Sequence, residues 1–153
     1  MVVEGYTATL ICVRDLETSI HFYCDLLGMK LVHRAESSGR PDVEEYHAHL
    51  FNMPQVRYRS ARLAVEETPV AIELLQYEVP ASRPKPQDYL WTDVGYLRLS
   101  FRVKDVKATY QELKAKGVRF VAPPASRPTG GGNLLAYDPD GNVIGFSQPM
   151  RSP

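Results

Sequence analysis

Near the middle of the chain two guanidinium groups and a hydroxyl stand at alternate positions, Arg98, Ser100 and Arg102. In a β-strand residues two apart share a face, so an extended segment here places both arginines on one wall. Their forked N–H donors suit a carboxylate, an enolate or a phosphate oxygen. His47 and His49 form a second pairing: in an extended segment they too face one way, and with Glu73 they would imitate the two-histidine, one-carboxylate set that holds a divalent metal. The thiols Cys12 and Cys24 are spaced too widely for a CxxC redox or zinc motif and are expected to be reduced, with Cys12 kept as a candidate wall residue. The glycine run Gly130 to Gly132 lacks the following Lys-Ser or Lys-Thr of a phosphate loop. His21 and His33 are read as surface or strand-end residues with no partner suggested by the pattern.

The elements that must position these groups occur twice. ATLICVRDLETSIHFYCDLLGMKLV, from Ala8, parallels RLSFRVKDVKATYQELKAKGVRFV, from Arg98, the second copy being one residue shorter. Each copy begins with alternating residues that end in Val-x-Asp, which predicts a strand running into a helix capped by Asp15 or Asp105. Apolar residues then recur at helical spacing, Leu16, Ile20, Tyr23 and Leu27 in one copy and Val106, Tyr110 and Leu113 in the other. Gly28 and Gly117 suit the left-handed position beyond each helix, and an apolar strand follows.

Two more strands complete each unit: SARLAVEE and VAIELLQYEV in the first half, NLLAYDP and NVIGFSQ in the second, the last two joined by a tight turn at Asp138 to Asn142. The pattern is βαβββ repeated: a first module over 1–79, a proline-rich stiff linker over 80–93 and a second module over 94–148. The stretches 36–54 and 123–132 lack a clear period and are read as loops over the site.

Composition limits the function classes. Eighteen basic residues balance eighteen acidic ones across 153 residues, and no basic run is interleaved with aromatics, so nucleic acid is not an expected partner. Neither a signal-like opening nor a long uninterrupted apolar stretch is present, so the expected address is the cytoplasm, with no membrane partner. A hydrophobic content of 44% with 24% charged residues is that of a folded domain.

The tandem modules together with Val13 to Met29 (V-x-D-L-E-x-S-x-x-F-Y-x-x-L-L-G-M), Ile72 to Leu74 (I-E-L) and Asp138 to Asn142 (D-P-D-G-N) resemble the vicinal oxygen chelate superfamily of glyoxalases, bleomycin-resistance proteins and extradiol dioxygenases. The resemblance implies an α+β fold: a U-shaped, eight-stranded mixed sheet around a cavity, helices on the outer face, and commonly a homodimer. It also implies metal ligands on the first and last strands of each module. Matched by motif, those positions fall at Ala8, Glu73, Arg98 and Gly145, so one ligand of four is present and neither a metal nor another cofactor is expected there.

In the altered site that the resemblance implies, Ala8 and Cys12 line one wall, Arg98, Ser100 and Arg102 the other, and Gly145 leaves space. Arg98 is expected to replace the lost cation by holding a substrate oxygen, and Glu73 to move a proton, giving metal-independent isomerase, epimerase or lyase chemistry on a small anionic, partly apolar metabolite. Two alternatives stay open: a non-catalytic protein that sequesters a metabolite or antibiotic-like ligand, and a metal-dependent glyoxalase or dioxygenase with relocated ligands. An Arg98–Glu73 ion pair that merely fills the vacated place is the architectural reading of the same residues. Tyr46, Tyr58, Tyr77, Tyr96, Tyr137 and Trp91 are aromatics at sheet-like positions to which no role is assigned.

Overall fold

The computed structural model describes residues 3–66, 68, 71–86, 88–90, 93–96, 98–128 and 130–150, and Trp91 lies outside them. The chain divides into two compact units, 1–84 and 85–153, with the boundary inside the proline-rich stretch. Each is built on a mixed sheet, so the α+β class read from the sequence holds.

In the first unit β1 (Thr9–Cys12) leads to α1 (Leu16–Ile20) and a π-helical turn (His21–Leu26), followed by β2 (Lys30–Glu36), α2 (Pro41–Leu50), β3 (Arg57–Ala64) and β4 (Ala71–Val79). The Asp15 carboxylate accepts the Thr18 N–H at 2.7 Å, and Gly28 adopts a φ of 80°, so the cap and the stop stand where the repeat placed them. The strands order β1-β4-β3-β2, with β1 parallel to β4 and the other pairings antiparallel. One face takes α1 against β3 and β4, where Ala61, Leu63, Ile72 and Leu74 are fully buried. There the Leu16 N–H, an orphan donor of the helix start, is satisfied by Gln76 Oε1 at 2.8 Å.

The second unit repeats this plan with β5 (Arg98–Arg102), α3 (Val106–Ala115), β6 (Arg119–Phe120), β7 (Ala125–Ser126), β8 (Gly132–Tyr137) and β9 (Val143–Gln148). The order is β5-β9-β8-β6, with β7 added on β8. Asp105 caps α3 by accepting from Lys107 and Ala108, Gly117 has a φ of 81°, and the Val106 N–H donates to Gln148 Oε1 at 3.0 Å. Gln148 thus does for α3 what Gln76 does for α1. Leu134, Ala136, Ile144 and Phe146 form the buried face under α3. The turn into β9 is held by Asp138, whose side chain accepts from the backbone of Asp140 and Asn142.

The strands group into mixed sheets of four and five, the strand beyond the eight expected being the two-residue β7. One expectation needs correction. Residues 41–50, inside the stretch read as a loop, form α2, with Pro41 in the first turn beside Asp42 and Glu44, and His47 and His49 in the last turn. No residue of α2 is fully buried, which is why its apolar period was faint. In a helix residues two apart point about 200° away from each other, so His47 and His49 do not share a face.

Candidate functional site

On the first sheet the face away from α1 carries alternate residues of each strand. The register sets Leu10 beside Glu73 and Glu73 beside Arg62, and one step on sets Cys12 beside Leu75 and Leu75 beside Ser60. Glu73 is half-buried and its partner is local: Arg62 Nη1 stands 4.0 Å from the Glu73 carboxylate, while Arg62 Nη2 donates to the Thr7 carbonyl at 3.1 Å. Cys12 is exposed, with Sγ 3.4 Å from the Ser82 hydroxyl.

Further along that face Tyr58 pairs with Tyr77, and α2 supplies His47 and, just past its end, Phe51 to the same cluster. His47 Nδ1 lies 2.8 Å from the Val43 carbonyl, an acceptor only, so Nδ1 bears the proton and Nε2 is left to accept from the Tyr58 hydroxyl at 3.3 Å. Burial raises the Tyr58 phenol above its ordinary value, and the negative charge of Glu73 adds to that. Tyr77 is raised first by burial and then by Cys12.

On the second sheet the face away from α3 is cationic. Arg98, Ser100 and Arg102 alternate on β5, opposite Val143, Gly145 and Ser147 of β9. A Cβ built on Gly145 would meet Ser100 Oγ at 2.6 Å and Arg98 Cδ at 3.4 Å, so both side chains lie across the space that a residue larger than glycine would fill. Arg127 joins them from beyond β7: its Nη2 donates to Asn133 Oδ1 at 3.0 Å and to Ser147 Oγ at 3.2 Å. Arg119 on β6 sits over the Tyr137 ring. None of these four arginines is ion-paired among the described residues, and no strand of this sheet contains a carboxylate.

The two registers confirm the internal correspondence: Leu10 faces Glu73 on the first sheet as Ser100 faces Gly145 on the second. The four ligand positions implied by resemblance therefore hold a methyl group at Ala8, a carboxylate at Glu73, a cation at Arg98 and no side chain at Gly145. That donor set does not fit a divalent ion, which needs several converging lone pairs and is repelled by a guanidinium. No group of three or more His, Cys, Asp or Glu side chains that could hold a metal occurs among the described residues. The relocated His47, His49 and Glu73 set fails geometrically, since both nitrogens of His47 are engaged within α2 and with Tyr58, and His49 points elsewhere.

The structure brings Arg98, Ser100 and Gly145 together, with Arg102 on the same face, and separately sets Glu73 and Cys12 on one face of the first sheet; Ala8 lies just before β1. Sequence reasoning missed Arg62, which cross-strand register alone places beside Glu73, and Arg127, which a non-local turn delivers to Ser147. It also missed the His21–Asp25 contact at 2.7 Å, which the i, i+4 spacing could have revealed. No helix of the described residues is long and apolar enough to cross a membrane.

A family model described as the Glyoxalase/Bleomycin resistance protein/Dioxygenase superfamily matches residues 5–146. A lactoylglutathione lyase of Haemophilus influenzae is 29% identical over 141 residues, spanning 90% of this chain and 87% of that protein. Among solved structures, a glyoxalase-family protein from Bacillus cereus superposes with a TM-score of 0.83 at 20% identity, covering 97% of this chain and 95% of its own. An antibiotic-binding protein from a Streptomyces species gives 0.63 at 24% identity, covering 98% and 99%. These structural likenesses are likenesses of fold.

Proposed function

Because the chain belongs to the Glyoxalase/Bleomycin resistance protein/Dioxygenase superfamily, we propose that it binds a small anionic, partly apolar metabolite and moves a proton on it without a metal at the family's usual position. The observation that carries this reading is the second sheet's open face, where Arg98 lies over Gly145 and no carboxylate among the described residues is paired with it. An unpaired guanidinium supplies the positive charge that a metal would otherwise offer to a substrate oxygen, and does so with directional donors. Glu73 is the proton-transfer group: a half-buried carboxylate on an open sheet face, with Arg62 to hold it in place. Ser100 and Arg102 assist Arg98, while Cys12 and Ala8 form wall. The working form in this reading is a homodimer, as the resemblance implies, in the cytoplasm, as the sequence suggests.

Deuterium wash-in at C3, the carbon next to the keto group, of a panel of 2-oxo acids, followed by NMR, tests the reading. Glu73→Gln is expected to lower exchange by about 10²-fold or more, and Arg98→Met to act mainly through substrate affinity. Exchange by Glu73→Gln at the unaltered rate would overturn the role of Glu73. The second reading, a non-catalytic binder, is favoured by the Arg62–Glu73 contact, which occupies the carboxylate, and by the antibiotic-binding relative of the same fold. Saturable binding of a panel member with no exchange would establish it.

A further inference from the structure

Three arginines share the sheet face that carries the small residues of β9. Arg98 leans across Gly145, Arg102 stands on the same rung as Ser147, and Arg127 reaches Ser147 Oγ from the other side at 3.2 Å. Ser100 adds a hydroxyl beside Gly145. Like charges on one face repel one another, and here no strand carboxylate relieves them. Arg127 is also anchored by Asn133, so it is held in place before any ligand arrives.

We infer that this cluster is a subsite for a doubly charged tetrahedral oxyanion, a phosphate monoester above all, with Arg127 as an anchoring residue that neither motif nor family position assigns. The inference rests on the anion-holding reading above and sharpens it from any anion to a dianion. A monoanionic carboxylate satisfies one fork and leaves the other cations of the face without an anion. A phosphate group presents three acceptor oxygens and nearly two negative charges, enough to answer more than one guanidinium of this face.

Isothermal titration calorimetry on the full chain at fixed ionic strength, at a pH well above the second ionisation of inorganic phosphate so that the dianion predominates, tests this with inorganic phosphate, methanesulfonate and acetate as probes. Methanesulfonate keeps the tetrahedral shape with one charge, so it separates charge from geometry. Phosphate is expected to bind at least ~10-fold more tightly than either monoanion. Arg127→Gln should remove most of that preference and leave acetate unchanged. Arg102→Gln, outside the Asn133 and Ser147 bonds, provides the same readout if loss of Arg127 disturbs its loop. Equal affinity for phosphate and acetate overturns the dianion subsite and leaves the anion-holding reading standing; no binding of any of the three overturns both.

Discussion

The two sheets share a topology, a cap chemistry and a glutamine brace, yet they treat positive charge in opposite ways. On the first sheet most basic side chains are matched, Arg57 excepted: Arg34 clasps both oxygens of Glu17, Arg59 reaches Glu78, Arg62 meets Glu73, and Lys30 pairs with Glu66. On the second, Arg98, Arg102, Arg119 and Arg127 have no carboxylate among the described residues. Matched surface charges contribute little beyond solubility and local order. Cations without a carboxylate partner stay available to an anionic ligand, which is the role proposed above for the second sheet.

The strongest way to break that comparison is to neutralise one arginine from each side. Arg98→Met is expected to weaken anion binding by about 10- to 100-fold, the range of one or two charge-assisted hydrogen bonds, with thermal stability held or slightly raised by relief of repulsion. Calorimetry and a melting curve on the same sample check both. A melting temperature that falls sharply while anion affinity stays put would mean that Arg98 is structural.

The caps mark where the units agree. Asp15→Ala and Asp105→Ala should each cost about 1 kcal/mol, measured by urea unfolding. The Thr18 N–H, followed by its hydroxyl, holds the Asp15 carboxyl below its ordinary range. A depressed folded-state value means that this contribution is fully present above about pH 4 and is lost as pH falls through the lowered folded value. The stability difference between Asp15→Ala and the unaltered chain should therefore shrink only in the acid range below about pH 4; a difference that vanished at neutral pH would contradict the cap.

A smaller effect is expected on the first sheet. Arg62→Met, which removes a half-exposed pair at 4.0 Å, should lower stability by less than about 1 kcal/mol and leave anion affinity unchanged. Smallest of all is Glu17→Gln, whose surface pairing with Arg34 should yield a barely measurable change in melting temperature that disappears at high salt. A large loss of anion affinity on Arg62→Met would move the binding face to the first sheet.

What the sequence disclosed follows the same division between local and non-local order. Asp15 and Asp105, Gly28 and Gly117, and the Asp138 turn act within a few residues of themselves, so their types announced their structures. Strand alternation placed Arg98, Ser100 and Arg102 on one face for the same reason. α2 escaped because helical periodicity registers burial, and this helix buries no residue completely; Pro41 with the acids after it was the available signal. The partners Arg62 for Glu73 and Arg127 for Ser147 depend on β3–β4 register and on the path of the chain after β7, and neither is written in spacing. Arg62, on the neighbouring strand, stands 4.0 Å from the Glu73 carboxylate, a partner that sequence spacing does not announce.

The most direct test of the central claim is a phosphate titration followed through the arginine Nε–H resonances in ¹H–¹⁵N spectra of the full chain. Saturable shifts at Arg98, Arg102 and Arg127, with Arg34, Arg59 and Arg62 unmoved, are the predicted result. Uniform drift of all six, or shifts confined to the first sheet, would contradict it.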